Sequence, residues 1–148
     1  MLKRFERFAY SIGEITRCWH KITADEMEKH GLNGPHALYL TILSQNPGGI
    51  TAAKICKLCG KNKSDVSRMI SIMEHKGLVK KERSGKNLYR AMLKLTEEGH
   101  NAAQLVQEKA ELAVLRVGEG LSEEKRAVFY EVLEKITANM QALSAEGI

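Results

Sequence analysis

Two short helical segments joined across Gly60 constrain the fold of this chain more than any other feature. Thr51 can cap the first segment, because its side-chain oxygen can accept a backbone N–H of the first turn, and Ile50 and Ile55 flank the cap as a hydrophobic staple. Asn62 can cap the second segment in the same way. Two helices joined by a tight, glycine-containing turn are typical of the helix-turn-helix motif. The sequence therefore predicts that motif here, with the first helix ending near Cys59.

The second segment, residues 63–76, is predicted to be an amphipathic helix with Asp65 at its third position, as in a capping box. Its apolar residues recur at the helical spacing i, i+3, i+4, i+7; they are Val66, Met69, Ile70 and Met73. The opposite face carries short or cationic side chains, namely Lys63, Ser64, Ser67, Arg68 and Ser71. Such side chains suit a helix that enters the major groove of DNA, which is about 12 Å wide. We predict these five as DNA-binding residues.

A β-hairpin is predicted directly after Gly77. Its strands are residues 78–83 and 88–95, and residues 84–87 form its tip. A hairpin that follows a helix-turn-helix is the wing of a winged-helix domain. Three of its basic residues are predicted to reach the DNA backbone or the minor groove; they are Arg83, Lys86 and Arg90.

The charge of the chain is distributed unevenly. Residues 54–95 hold twelve Lys and Arg against three Asp and Glu, a net charge of +9, although the whole chain carries only +5. Such asymmetry indicates a polyanionic partner for the basic segment, most often a nucleic acid. A basic but merely solvated surface is the alternative reading of the charge alone.

The N-terminal segment carries a heptad pattern that predicts a dimerisation helix. Its apolar residues follow steps of three and four, at Phe5, Phe8, Ile12, Ile15, Trp19 and Ile22. A helix that packs only within its own domain is the alternative. Gly31 ends this helix, and Pro35 is predicted at the first position of a short buried helix over residues 35–45.

Two further helices are predicted after the hairpin. Thr96 caps the first, which runs to about Val117, and Ser122 starts the last. The last helix has an apolar stripe at Phe129, Val132, Leu133, Ile136, Met140 and Leu143. We therefore predict a single domain, 1–148, that is mainly α with a small β-hairpin wing. Within it, residues 1–30 and 97–148 are dimerisation helices and residues 35–96 form the winged helix-turn-helix lobe.

The run ITAAKICKLCGKNKSDVSRMISIMEHKGLVKKE, with Leu95-Thr96-Glu97-Glu98-Gly99 after the wing, resembles the MarR family of winged helix-turn-helix regulators. Glu74-His75-Lys76-Gly77-Leu78-Val79 is the closing part of the same pattern. The resemblance implies a homodimer with intertwined terminal helices, whose two lobes read a pseudo-palindrome in double-stranded DNA. It also implies that a small, often phenolic ligand releases the protein from the DNA. The family's usual Asp-x-Arg in the wing is replaced here by Asn87, Leu88 and Tyr89.

Cys56 and Cys59 form a C-x-x-C pair, but no second Cys/His pair follows at a zinc-binding spacing. We interpret both as small core side chains, since buried thiols pack as hydrophobes, and we predict no metal and no cofactor. A redox role for the pair is the alternative. We interpret Cys18 as packing beside Trp19.

Three residues are candidates for an effector site because each offers an aromatic face and a polar group. They are Trp19, His36 and Tyr39, which could line a pocket for a small aromatic ligand. The alternative for each of them is ordinary packing.

Several classes of protein are excluded by motifs that the sequence lacks. It has no G-x-S-x-G, P-loop or G-x-G-x-x-G, so we predict that it is not an enzyme. A charged N-terminus, an odd number of cysteines and no long apolar run favour a cytoplasmic protein without a membrane segment. The predicted function is that of a sequence-specific DNA-binding transcription regulator that acts as a repressor. The alternatives are a winged-helix module that docks an acidic protein and a cysteine-based redox regulator.

Overall fold

The computed structural model describes residues 2–83 and 91–147, and of Leu2 only the backbone. The elements, in chain order, are α1 (Leu2–Glu28), α2 (Gly34–Ser44), α3 (Ala52–Cys59), α4 (Lys63–His75), β1 (Val79–Arg83), β2 (Ala91–Leu95), α5 (Glu97–Val117) and α6 (Glu123–Glu146). This order confirms the predicted fold class, mainly α with one small hairpin. The chain divides into two compact units, residues 1–109 and 110–148.

Helix ends in the first unit follow the predicted chemistry. Thr51 Oγ1 accepts the backbone N–H of Lys54, and Gly60 closes α3 in the left-handed conformation, with a φ of 62°. Asn62 Oδ1 accepts the N–H of Asp65 at 2.8 Å. Only this half of the suggested capping box is present among the described residues.

The start of one helix differs from the prediction in detail. Helix α2 begins at Gly34, so Pro35 occupies its second position rather than its first. The backbone N–H of Asn33, the residue before the helix, donates to Nδ1 of His36 at 2.8 Å. The imidazole therefore serves as part of the N-terminal cap.

The core of the first unit lies between α2, α3, α4 and the hairpin. Its fully buried side chains include Leu40, Leu43, Ile55, Val66, Met73 and Leu93. The predicted inner face of α4 is confirmed, because Val66, Ile70 and Met73 are buried and Met69 is partly buried against them. Packing on this face directs the opposite face of α4 to solvent.

Strands β1 and β2 pair antiparallel, from Val79 opposite Leu95 to Arg83 opposite Ala91. Ile50 adds a bridge to Leu93 on the other edge of β2. Residues 84–90, which include the predicted tip and the predicted start of the second strand, lie outside the described residues.

Most of α1 and α6 is exposed in the single chain. Along α1, Phe5 is 69%, Ile15 62% and Ile22 48% exposed, and Met27 near the helix end is buried. In the second unit, α6 has no buried residue at all among those described, and Phe129 is 50% exposed. Among the described residues, none of the helices has the length and apolar character needed to span a bilayer.

Candidate nucleic-acid interface

The five residues predicted on the outer face of α4 lie together and are all exposed. With Asn62 they line one open concave surface, whose members are Asn62, Lys63, Ser64, Ser67, Arg68 and Ser71. Three of these side chains are short serines, and the two long ones are Lys63 and Arg68. Hydroxyl and guanidinium groups on an exposed helical face can donate to base edges and phosphate oxygens.

Three lysines of α3 and of the turn that follows it extend this positive surface. Lys54, Lys57 and Lys61 are exposed, and none of them forms an ion pair within the described part of the chain. These lysines belong to the basic segment of the sequence, but they were not among the predicted DNA-binding residues. Their position on the first helix of the motif was the available signal, because that helix crosses the DNA backbone in helix-turn-helix proteins.

The described lysines of the hairpin, Lys80, Lys81 and Lys94, are instead paired with carboxylates. Glu82 contacts Lys94 Nζ at 2.7 Å and Lys80 Nζ at 3.3 Å, and these hydrogen bonds hold the pKa of Glu82 below its usual range. Lys81 Nζ lies 2.8 Å from a carboxylate oxygen of Glu74. Within the described part of the helix-turn-helix and the hairpin, the lysines without an ion pair therefore lie on α3, in the turn after it, on α4 and at the end of α4.

Of the three predicted wing residues, only Arg83 lies within the described residues. It is the last residue of β1 and is exposed. Lys86 and Arg90 lie outside the described residues, as do Asn87, Leu88 and Tyr89.

The three candidate effector residues occupy different environments. Trp19 on α1 is 36% exposed, whereas His36 and Tyr39 on α2 are buried. Burial, together with the positive charge of Lys76, lowers the pKa of His36, and its Nε2 has no hydrogen-bond partner among the residues that the structure describes. Burial and the neighbouring Cys59 raise the pKa of Tyr39 to about 12.

The two cysteines of the C-x-x-C pair lie at the margin of the core. Cys56 and Cys59 are free thiols, partly exposed, and pack against the buried cluster. Within the described part of the chain, no group of three or more His, Cys, Asp and Glu side chains is arranged to hold a metal ion.

The sequence of residues 30–87, from the end of α1 into the predicted wing, matches the model of the MarR family. This match shows that residues 30–87 are similar in sequence to the MarR family. The recognition helix-turn-helix described above lies wholly within the matched range. Members of this family are transcriptional regulators rather than enzymes, in agreement with the prediction from the motifs.

Solved structures with the same fold extend the likeness beyond the matched segment. A Listeria monocytogenes protein described as a MarR family transcriptional regulator, in complex with a 26-mer DNA, superposes with a TM-score of 0.80 at 24% identity, covering 89% of this chain and 87% of its own. The transcriptional regulator SlyA gives 0.81 at 24% identity, covering 90% of this chain and 93% of its own. A MarR regulator from Methanosarcina mazei gives 0.82 at 17% identity, covering 93% and 92%. No curated protein matches the chain in sequence. The MarR fold thus covers both terminal helical segments as well as the matched domain.

Proposed function

We propose that this chain is a transcription regulator that binds double-stranded DNA sequence-specifically through α4. The observation that carries the proposal is the exposed serine and arginine face of α4, held outward by the buried Val66, Ile70 and Met73. Base edges are read by side chains on such a face, whereas phosphate contacts fix its position. Arg68 and Ser67 are the proposed base-reading residues.

Binding to the DNA backbone is assigned to cationic side chains on and around α4. We propose that Lys54, Lys57, Lys61 and Lys63 contact phosphates, with Arg83, Lys86 and Arg90 contributing from the wing. Each phosphate that is neutralised releases counterions and strengthens binding without selecting a sequence. The structure of the Listeria regulator supports this use of the fold, because it is solved in complex with a 26-mer DNA.

The proposed active form is a homodimer acting as a repressor on a pseudo-palindromic operator. The exposed apolar seam of α1 and the exposed apolar residues of α6 are the surfaces assigned to the partner copy. Two lobes related by a two-fold axis would present two α4 helices to successive major grooves of one duplex.

The proposal also includes release of the DNA when a small aromatic ligand binds to the protein. Such a ligand can reach Trp19 directly, but it reaches His36 and Tyr39 only if neighbouring side chains move, since both are buried. Because Trp19 is the only tryptophan, its fluorescence during titration with simple phenols and aromatic carboxylates tests this step.

DNA selection tests the main proposal. The full-length protein is incubated with a random duplex pool, the bound DNA is sequenced, and binding of the selected duplex and of a scrambled duplex is measured at several salt concentrations. We expect a two-fold symmetric sequence, a large preference over the scrambled duplex, and a log-linear loss of affinity with salt. Enrichment of no sequence would contradict the proposal. Binding to an acidic protein but not to any duplex would favour the docking-module alternative.

A further inference from the structure

Helices α1 and α4 end with the same backbone geometry. The chain leaves α1 at Gly31, with a φ of 69°, and leaves α4 at Gly77, with a φ of 73°, and both glycines are in the left-handed region. The leucine after each glycine donates its N–H to the carbonyl oxygen of a buried methionine near the helix end, at 2.9 Å in both cases; the pairs are Leu32 with Met27 and Leu78 with Met73. Each helix end is therefore fixed to the interior by a glycine cap.

Lys76 connects these two helix ends. It is the residue between α4 and Gly77, and its Nζ donates to the backbone oxygen of Gly31 at 2.8 Å. Carbonyl groups at the carboxyl end of a helix carry partial negative charge, so a cation is stabilising there. A hydrogen bond with an ionised donor is also stronger than one between neutral groups. Lys76 therefore joins the end of α4 directly to the end of α1.

Helix packing gives α1 and α4 a less direct connection. Helix α1 packs mainly on α2, whereas α4 packs mainly on α3 and β1. The start of α2 lies at the same junction as Lys76, because the positive charge of Lys76 acts on the buried imidazole of His36, which caps α2. The orientation of α4 relative to α1 is thus set through α2 and α3, and directly by the hydrogen bond from Lys76.

We propose that Lys76 is a positioning residue that fixes the angle between α4 and α1, and with it the half-site spacing that the protein selects in DNA. This inference rests on the proposed function, in which α1 carries the dimer interface and α4 reads bases. In such a dimer, the path from one α4 to the other passes through α1 of each copy. One added base pair moves a half-site by about 3.4 Å and rotates it by about 34–36°. A change of angle at both junctions therefore changes which spacing fits.

The position of Lys76 distinguishes it from the lysines assigned to phosphates. Recognition helices contact base edges with their N-terminal residues, and Lys63 is the first residue of α4. The 13 residues of α4 span about 20 Å, and Lys76 lies just beyond the other end. Its ammonium group is engaged with Gly31. We therefore expect Lys76 to act through the geometry of the junction rather than through a DNA contact.

The experiment compares two full-length variants with the parent protein. Lys76→Met keeps a long side chain but cannot donate a hydrogen bond, whereas Lys76→Arg restores a cationic donor. Each protein is titrated with the duplex that the parent selects, with duplexes that have one base pair more or fewer between the half-sites, and with a single half-site.

We expect Lys76→Met to bind the selected duplex about three- to tenfold more weakly than the parent, since one charge-assisted hydrogen bond is lost per junction. Its affinity for the single half-site should stay within about twofold of the parent. Its preference for the selected spacing over the altered spacings should also be smaller than that of the parent. Lys76→Arg should keep the spacing preference of the parent.

Lys125→Met is the matched control, because it removes the charge of an exposed lysine on α6, outside the junction. It should bind every duplex within about twofold of the parent. An equal loss of affinity on the selected duplex and on the half-site, with a lower salt slope, would show that Lys76 contacts a phosphate and would overturn the positioning role. A spacing preference that is unchanged in Lys76→Met would overturn it as well.

Amide hydrogen exchange without DNA separates this inference from the proposed function. Exchange over residues 29–36 should be faster in Lys76→Met than in the parent, and unchanged in Lys76→Arg and Lys125→Met. Unchanged exchange in Lys76→Met would reject the connection between α4 and α1, even for a protein that binds its selected duplex. If the parent selects no duplex, the proposed function fails and the spacing role fails with it, whereas faster exchange in Lys76→Met would still support the connection between the helices.

Discussion

Arg68 is the residue whose substitution should separate base reading from backbone binding. It stands on the exposed face of α4, so Arg68→Ala should weaken binding to the selected duplex by about 1–3 kcal/mol and relax the preference at particular base pairs. Lys57→Ala on α3 is the matched control, because a phosphate contact is lost equally from every sequence. For that variant we expect weaker binding to selected and scrambled duplexes alike and a salt slope reduced by about one per subunit. Binding isotherms on both duplexes at several salt concentrations distinguish the two, and the reverse pattern would contradict the assignment.

His36 should make stability depend on pH in the mildly acidic range. Burial and the charge of Lys76 lower its folded pKa below the ordinary value of 6.5, so the folded state favours the neutral ring. Protonation would also place a hydrogen on Nδ1, which now accepts the N–H of Asn33. The contribution of His36 is therefore present above the ordinary pKa and is lost as the pH falls below it.

Urea unfolding at pH 7.5 and pH 5.5 measures this effect. We expect the free energy of unfolding to fall more in the parent protein than in His36→Gln. His75→Gln serves as the control, because His75 is exposed near the end of α4 and should leave the pH dependence unchanged. A parent and a His36→Gln variant with the same pH dependence would contradict the prediction.

Local chemistry explains which residue roles the sequence could predict. The caps at Thr51 and Asn62 depend on residues within one turn, so side-chain type and spacing were sufficient. His36 was considered for a ligand site, but its burial depends on the packing of separate helices around it. That information is not local to the sequence around His36.

At the scale of elements, Gly99 allows the first turn of α5 to lie close to the backbone at the start of the hairpin. A Cβ at Gly99 would overlap the backbone oxygen of Leu78, which itself accepts the N–H of Thr96. Gly99→Ala should therefore lower the free energy of unfolding by about 1–3 kcal/mol or more, because α5 must move away from the hairpin base. Gly13→Ala on exposed α1 has open space and should be neutral or stabilising by up to about 1 kcal/mol. Thermal or urea unfolding of both variants checks the contrast, which equal effects would contradict.

The elements themselves were predictable where they end at caps and glycines, as at Gly60, Gly77 and Ser122. The bridge between Ile50 and Leu93 was not predictable, because it joins residues far apart in the chain. The same limit applies to the ion pairs of Glu82. Cross-strand register, and not the count of charges, decides that Lys80 and Lys94 are neutralised while the lysines of α3 are left unpaired among the described residues.

At the scale of the whole molecule, the exposed apolar residues of α1 form the proposed dimer seam. The seam residues Phe5, Ile12 and Ile15 are 69%, 42% and 62% exposed in the single chain. Each large aliphatic or aromatic side chain that is moved from water into an interface gains about 1.5–3 kcal/mol. A heptad seam of this length is therefore expected to bury itself against a second copy, and light scattering should give twice the chain mass of 16.6 kDa at micromolar concentration.

Replacing Ile12 and Ile15 by Glu tests the seam directly, since two charges would then have to be buried without partners. The double variant should sediment as a monomer, and the emission of Trp19, which lies in the same seam, should shift to longer wavelength as water reaches the indole. Tyr10→Glu is the control, because Tyr10 is 72% exposed on α1 but lies outside the heptad positions. Under the proposed function, one lobe alone would read half of a two-fold operator. The monomeric variant should therefore bind the selected duplex far more weakly while retaining the same weak affinity for a single half-site. A parent protein of 16.6 kDa under these conditions, or a double variant that remains dimeric, would place the dimer interface elsewhere or remove it altogether.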